Sequence, residues 1–130
     1  MVETKKILIQ GKNIEETFSN CGKALFKEIT DIEKIDPKKS AKLRVSGKTY
    51  DELLVNYLNE LLLLRENKKM IYSQFRVKII EKISENGENS LELDGVVFGE
   101  KPKNKGLIKK EIKRITNASV DKEKKTAFFL

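Results

Sequence analysis

The chain contains no histidine and a single cysteine among its 130 residues. The missing histidine removes the side chain that most often works as a general base near neutral pH, and also the commonest ligand for transition metals. Triads of the Ser-His-Asp and Cys-His kinds are therefore excluded. One cysteine cannot form an intramolecular disulfide. Cys21 falls on an apolar helical stripe, where a small core residue is the ordinary reading. No apolar run exceeds four residues, far short of the ~20 needed to cross a bilayer as a helix. No secretory core precedes the first structured stretch, so a cytoplasmic protein without a membrane partner is expected. There is no GxGxxG, no Walker-type loop and no CxxC pair. What remains is carboxylate and lysine chemistry, suited to hard cations or phosphates but rarely sufficient for an unaided enzyme. No nucleophile paired with a base is visible.

The length fits one domain spanning residues 1–130, large enough to fold without a disulfide or metal. Net charge is +7, and all of it lies in the last quarter. Between Lys101 and Lys125 there are ten cations against Glu111, Asp121 and Glu123, while the rest of the chain carries 17 of each sign. Such a segment suits an anionic partner, RNA or an acidic protein surface, and a solvated lysine-rich loop fits it equally well. Only four of the 27 cations are arginine. Base-reading surfaces favour the planar guanidinium fork, so sequence-specific recognition is not expected.

Periodicity places the elements. Lys5–Gln10 reads as a short strand. Asn13 with Glu16 forms a capping signal, and Ile14, Phe18, Cys21, Leu25 and Ile29 make one helical stripe ending near Thr30-Asp31. Ala41, Leu43 and Val45 alternate as a half-buried strand closed by Gly47. Thr49 and Glu52 cap a second helix with a wide leucine-rich stripe (Tyr50, Leu53, Leu54, Tyr57, Leu58, Leu61, Leu62), ending at Lys68-Lys69. Strands follow around Ile71–Ile79 and Leu91–Phe98, with a turn at Asn86-Gly87 between them that is not a tight hairpin. Gly95 suggests a bulge, and Gly99–Gly106 a lysine-rich loop. In 108–116, Ile108, Ile112 and Ile115 have helical spacing among β-compatible neighbours. Asp121–Lys125 reads as a turn and Thr126–Leu130 as a final strand. The order β-α-β-α-β-β-β-β predicts an α+β fold, with an antiparallel or mixed sheet and two helices on one face.

Asp31 is unusual where it stands, because the helix dipole disfavours an acid at a helix C-terminus. Cation binding and a plain turn-forming role both fit it. Lys113, by pattern alone, is one cation among ten.

Several runs resemble the archease family, in the same order along nearly the whole chain. Ile14-Glu-Glu-Thr-Phe18 through Ala24-Leu-Phe26 and Thr30-Asp31 resembles its first helix. Leu54-Val-Asn-Tyr-Leu-Asn-Glu-Leu-Leu-Leu-Leu64 resembles its second, and Ser73-Gln-Phe-Arg-Val-Lys-Ile79 the strand after it. Gly99-Glu100 is similar to the family's Gly-Glu pair, and Glu111-Ile-Lys-Arg-Ile-Thr116 to its Glu-Val-Lys-Ala-Val-Thr motif. The resemblance implies an archease-like fold, with 108–116 as a strand. It also implies an accessory role beside a GTP-dependent tRNA-splicing ligase and its RNA, promoting guanylylation and turnover, or a chaperone-like role toward RNA-modifying enzymes. It assigns Asp31 and Glu111 to an acidic cluster for a divalent cation, Ca²⁺ or Mg²⁺, and Lys113 to the assisting lysine.

Three departures reduce that cluster. Thr4 stands where the family has an aspartate, Ala118 where a Tyr-His pair supplies a histidine, and Phe-Phe-Leu130 is not followed by the family's closing aspartate. Cation binding is accordingly expected to be weak or lost. The basic positions expected to face ligase and RNA are Lys101, Lys103, Lys105, Lys109, Lys110, Lys113 and Arg114. The alternative is a nonspecific RNA-binding or chaperone-like scaffold module that keeps the fold.

Overall fold

In the computed structural model, residues 8–102 and 108–130 are described. Six strands and two helices follow in the order β1 (Ile9–Gln10), α1 (Ile14–Ile29), β2 (Lys39–Gly47), α2 (Tyr50–Lys68), β3 (Ile71–Ile83), β4 (Asn89–Glu100), β5 (Ala118–Asp121) and β6 (Thr126–Phe129), with a single 3-10 turn at Ile32–Lys34. The α+β class and two-helix plan agree with the sequence. The strands form two sheets rather than one, ordered β2-β4-β3 and β1-β6-β5, and every pairing is antiparallel.

Both helices begin at the caps the sequence announces. Asn13 Oδ1 accepts from the Glu16 amide at 2.8 Å, and Glu16 Oε1 accepts in return from the Lys12 amide at 3.2 Å. Thr49 Oγ1 accepts from the Glu52 amide at 3.1 Å. These contacts use amides that have no partner inside a helix, each contact contributing about 1 kcal/mol. α1 stops at Thr30, and α2 ends at Lys69 in the left-handed region (φ 56°).

The apolar stripes of both helices pack on one face of the larger sheet, α1 against β3 and α2 against β2. Phe18, Cys21, Leu25, Ile29, Leu53, Leu54, Tyr57, Leu58 and Leu61 are fully buried there, with Leu93 and Val97 of the central strand below them. Phe26 meets Tyr72 edge-on at 5.6 Å and Phe75 at 5.5 Å. Cys21 is a core residue, and burial pushes its thiol pKa up to about 12, so it stays protonated and inert. The smaller sheet meets the helices too, β1 and β6 against α1 and β5 against α2. No helix among the described residues is long and apolar enough to cross a membrane.

Three further sequence expectations need correction. Segment 108–116 is not a strand; the fifth strand is β5, further along. Ile108, Ile112 and Ile115 do pack against the core, but the odd step from Ile112 to Ile115 would turn them to opposite faces of a pleated strand. The bulge is not at Gly95, which pairs in regular register with Leu43 and Val77. Its missing side chain leaves room for Leu43, whose Cγ lies 3.2 Å from where a Cβ would stand. The irregularity lies instead between Tyr72 and Gln74, opposite Gly99 and Phe98. It sets Tyr72 and Phe75, three residues apart, on the same buried face, where both meet Phe26. Finally, Gly99 and Glu100 belong to β4 rather than to a loop. The N-terminal strand is described only from Leu8 onward.

Candidate functional site

The site is built around an irregular strap, residues 108–117, that crosses α2. A segment without a ladder still has backbone groups to satisfy, and three anchors do this. At its start, Ile108 makes an isolated antiparallel bridge to Thr30, and the Lys109 amide donates to the Ile29 carbonyl at 2.7 Å. In the middle, the Asn59 side chain grips the backbone of Ile115 with both ends of its amide. Nδ2 donates to the Ile115 carbonyl at 3.0 Å, and Oδ1 accepts from the Ile115 amide at 2.8 Å. At its end, the Thr116 amide donates to the Leu130 carbonyl, and the Leu130 amide to the Asn117 carbonyl. Ile115 is buried beneath the strap. This clamp replaces the strand pairing that the sequence suggested.

With Ile115 inward, the polar side chains of the strap point out. Lys109, Lys110, Glu111, Lys113 and Arg114 are all exposed, as is Lys101 at the end of β4. Lys103 and Lys105 lie outside the described residues. Lys113 lines two clefts at once. One is shared with Arg114 and bounded by Asn56, Asn59, Leu63 and Glu66 of α2. The other has an apolar floor of Leu62, Met70, Ile71, Ile108 and Ile112, with Arg65, Lys69 and Glu111 at its rim. A lysine so placed can bring its charge to an anion entering either cleft.

Asp31 is exposed, and its side chain caps nothing at the 3-10 turn that follows. The Thr30–Ile108 bridge places it beside the start of the strap. Glu111 is committed elsewhere: its carboxylate pairs with the Arg65 guanidinium at 2.9 Å. Glu111 is largely exposed, so this pair contributes about 1 kcal/mol at most. Glu100 is buried, and its carboxylate accepts from the Asp36 amide at 2.6 Å, tying β4 to the segment after α1.

A hard dication needs several oxygens converging on one point. Among the described residues no three Asp, Glu or Cys side chains do so. Glu111 is engaged by a guanidinium and Glu100 by a backbone amide. Among the described residues the donor set does not fit a Ca²⁺ or Mg²⁺ ion. Thr4, at the position of the family's aspartate, lies outside the described residues.

Three residues that matter here were not singled out from the sequence. Asn59 stands in the run that resembles the family's second helix, but nothing there marks it as a clamp on a distant segment. Arg65 carried none beyond its position in the last turn of α2. Glu100 stood in the Gly-Glu pair, but its burial is visible only in the fold.

The family model of the archease protein family matches residues 5–128. Among curated relatives, protein archease of Sulfurisphaera tokodaii is 33% identical over 91 residues, covering 70% of this chain and 60% of that protein. Protein archease of Pyrococcus abyssi is 32% identical over 115 residues, covering 88% and 78%. The solution structure of Methanobacterium thermoautotrophicum protein 1598 superposes with a TM-score of 0.68 at 18% identity, over 99% of this chain and 91% of that one. That likeness is one of fold.

Proposed function

This chain belongs to the archease family, and on that premise we propose that it is an accessory protein of a GTP-dependent tRNA-splicing RNA ligase. It promotes the ligase's guanylylation and turnover and performs no catalysis of its own. The observation that carries this reading is the family match over nearly the whole chain, at whose C-terminal motif the strap presents its cations. Lys109, Lys110, Lys113 and Arg114 stand on the outer side of a backbone fixed from beneath by Asn59. A positioned ammonium stabilises negative charge that develops on phosphate during guanylyl transfer, and needs no reorganisation at the moment of reaction. Lys113 lines both clefts, which supports that role for it.

The expected result with Lys113→Ala is a fall in ligase guanylylation of at least tenfold relative to the unmodified protein, about 1.4 kcal/mol in barrier. Circular dichroism should be unchanged, because the side chain is exposed. Full stimulation by the variant would remove Lys113 from the mechanism.

The acids favour a second reading, a chaperone-like scaffold that keeps the fold without the cation. Both readings share one expectation: divalent-cation binding is weak or lost. Calorimetric titration with CaCl₂ and MgCl₂ should give dissociation constants above about 1 mM, weaker than the weakest dedicated calcium modules. A micromolar site abolished by Asp31→Ala would contradict that and restore an intact acidic cluster.

A further inference from the structure

The larger sheet buries only one face. Among the described residues its other face carries no helix, and its side chains follow from the register. Along β4 the outward side chains are Glu92, Asp94, Val96 and Phe98, flanked by Lys42 and Arg44 on β2 and by Arg76, Lys78 and Lys82 on β3. Lys42, Val96 and Arg76 form one row across the three strands, and Arg44, Asp94 and Lys78 the next. Arg44 is neutralised by Asp94 at 2.6 Å and Glu92 at 3.6 Å, and Lys82 by Glu92 at 2.9 Å. Among the described residues Lys42, Arg76 and Lys78 have no carboxylate partner, and all three are exposed. Together with Asp94 and Val96 they line a shallow depression in the face. The Arg76 guanidinium lies over the Phe98 ring, 5.4 Å from its centre. Two of the chain's four arginines stand on this one face.

We propose that this open sheet face is a second anion-binding surface, separate from the strap, and that its ligand is single-stranded RNA. Charge complementarity argues for a polyanion. Three unpaired cations stand about 7 Å apart along β3 and about 10 Å apart across the sheet. An extended backbone with regularly spaced phosphates can meet several of them at once. An acidic peptide would satisfy the cations but leave the half-buried aromatic and its stacked guanidinium unused. Nucleobases use both, since an aromatic ring on an antiparallel sheet and an arginine plane are surfaces on which unpaired bases stack. Recognition is of backbone and stacking, with little base preference, in keeping with the few arginines.

The test uses the protein alone, so its outcome is independent of any ligase activity. A fluorescein-labelled 12-nucleotide oligouridylate is titrated with the protein by anisotropy at several salt concentrations, beside a polyglutamate peptide of equal charge. The variant carries Lys42→Gln, Arg76→Gln and Lys78→Gln, which keep polar stems on exposed strand positions, with folding checked by circular dichroism. The expected result is at least a tenfold loss of RNA affinity in the variant. The slope of log affinity against log salt should flatten by about 2, the counterion release of three phosphate contacts on a single strand. Phe98→Leu should weaken binding with the salt slope unchanged. A variant that binds RNA as the unmodified protein does would overturn the proposal, and so would no binding at low salt. Polyglutamate bound as tightly as RNA would overturn the RNA assignment in favour of an acidic protein.

Discussion

Replacing Gly99 with alanine should destabilise the protein by at least about 3 kcal/mol and leave little folded material at 37 °C. Gly99 sits on β4 opposite the β3 bulge, where the partner backbone crowds the position its Cβ would take. A Cβ there would overlap the Ile71 carbonyl oxygen and lie 2.7 Å from its carbon and 2.8 Å from Tyr72 Cα. The obstacle is backbone, held by its own ladder on the partner strand, so no side chain can swing aside. Overpacking into a yielding core costs typically 1–3 kcal/mol, and a clash with rigid backbone lies at or above the top of that range. Gly95→Ala is the internal control. Its Cβ would meet only the end of the Leu43 side chain, at 3.2 Å, and should cost about 1 kcal/mol. Urea titration of both variants reads the difference, and equal midpoints would mean that the bulge does not hold the strands as described.

Asn59→Ala should cost about 2–4 kcal/mol. Two hydrogen bonds to the Ile115 backbone are lost, and both of its polar groups are left without partners above a side chain only 3% exposed. Alanine's better helix propensity returns about half a kcal/mol and does not change the sign. The damage should be local before it is global. Amide exchange of Ile115 and Thr116 should accelerate by more than the overall loss of stability predicts, while the α1 amides follow the global change. In the proposed function, the same variant should lose stimulation of the ligase although every strap cation is retained. A loss below about 0.5 kcal/mol would mean that the strap is held by its isoleucines and not by the clamp.

These two sites mark where sequence legibility ended. The helices were readable because period and caps agree: Asn13 with Glu16 and Thr49 with Glu52 fix the starts, and the stripes from Phe18 to Ile29 and from Leu53 to Leu62 fix the buried faces. β2 and β3 were readable from alternation. The register was not, since nothing local announces that Gly99 faces Tyr72 or that Ser73 is the extra residue. Segment 108–117 misled because its isoleucines suit a buried position of any kind. Its geometry is decided by Asn59, some fifty residues earlier. Of the candidate site, resemblance pointed to Asp31, Glu111 and Lys113, and the fold sets Glu111 and Lys113 on the strap with Asp31 beside its start. That Arg65 occupies Glu111 was not, because an exposed ion pair between distant segments leaves no periodic trace. The basic quarter of the chain drew attention to residues 101–125, whereas Lys42, Arg76 and Lys78, dispersed along the neutral remainder, meet only once the sheet forms.

Guanylylation of the cognate GTP-dependent RNA ligase with radiolabelled GTP, under multiple-turnover conditions, with and without this protein, decides whether the chain is an accessory factor. Substoichiometric amounts should raise both the labelled fraction and the number of ligation cycles, without added Ca²⁺. Unchanged labelling and turnover, with both proteins folded, would contradict the accessory role.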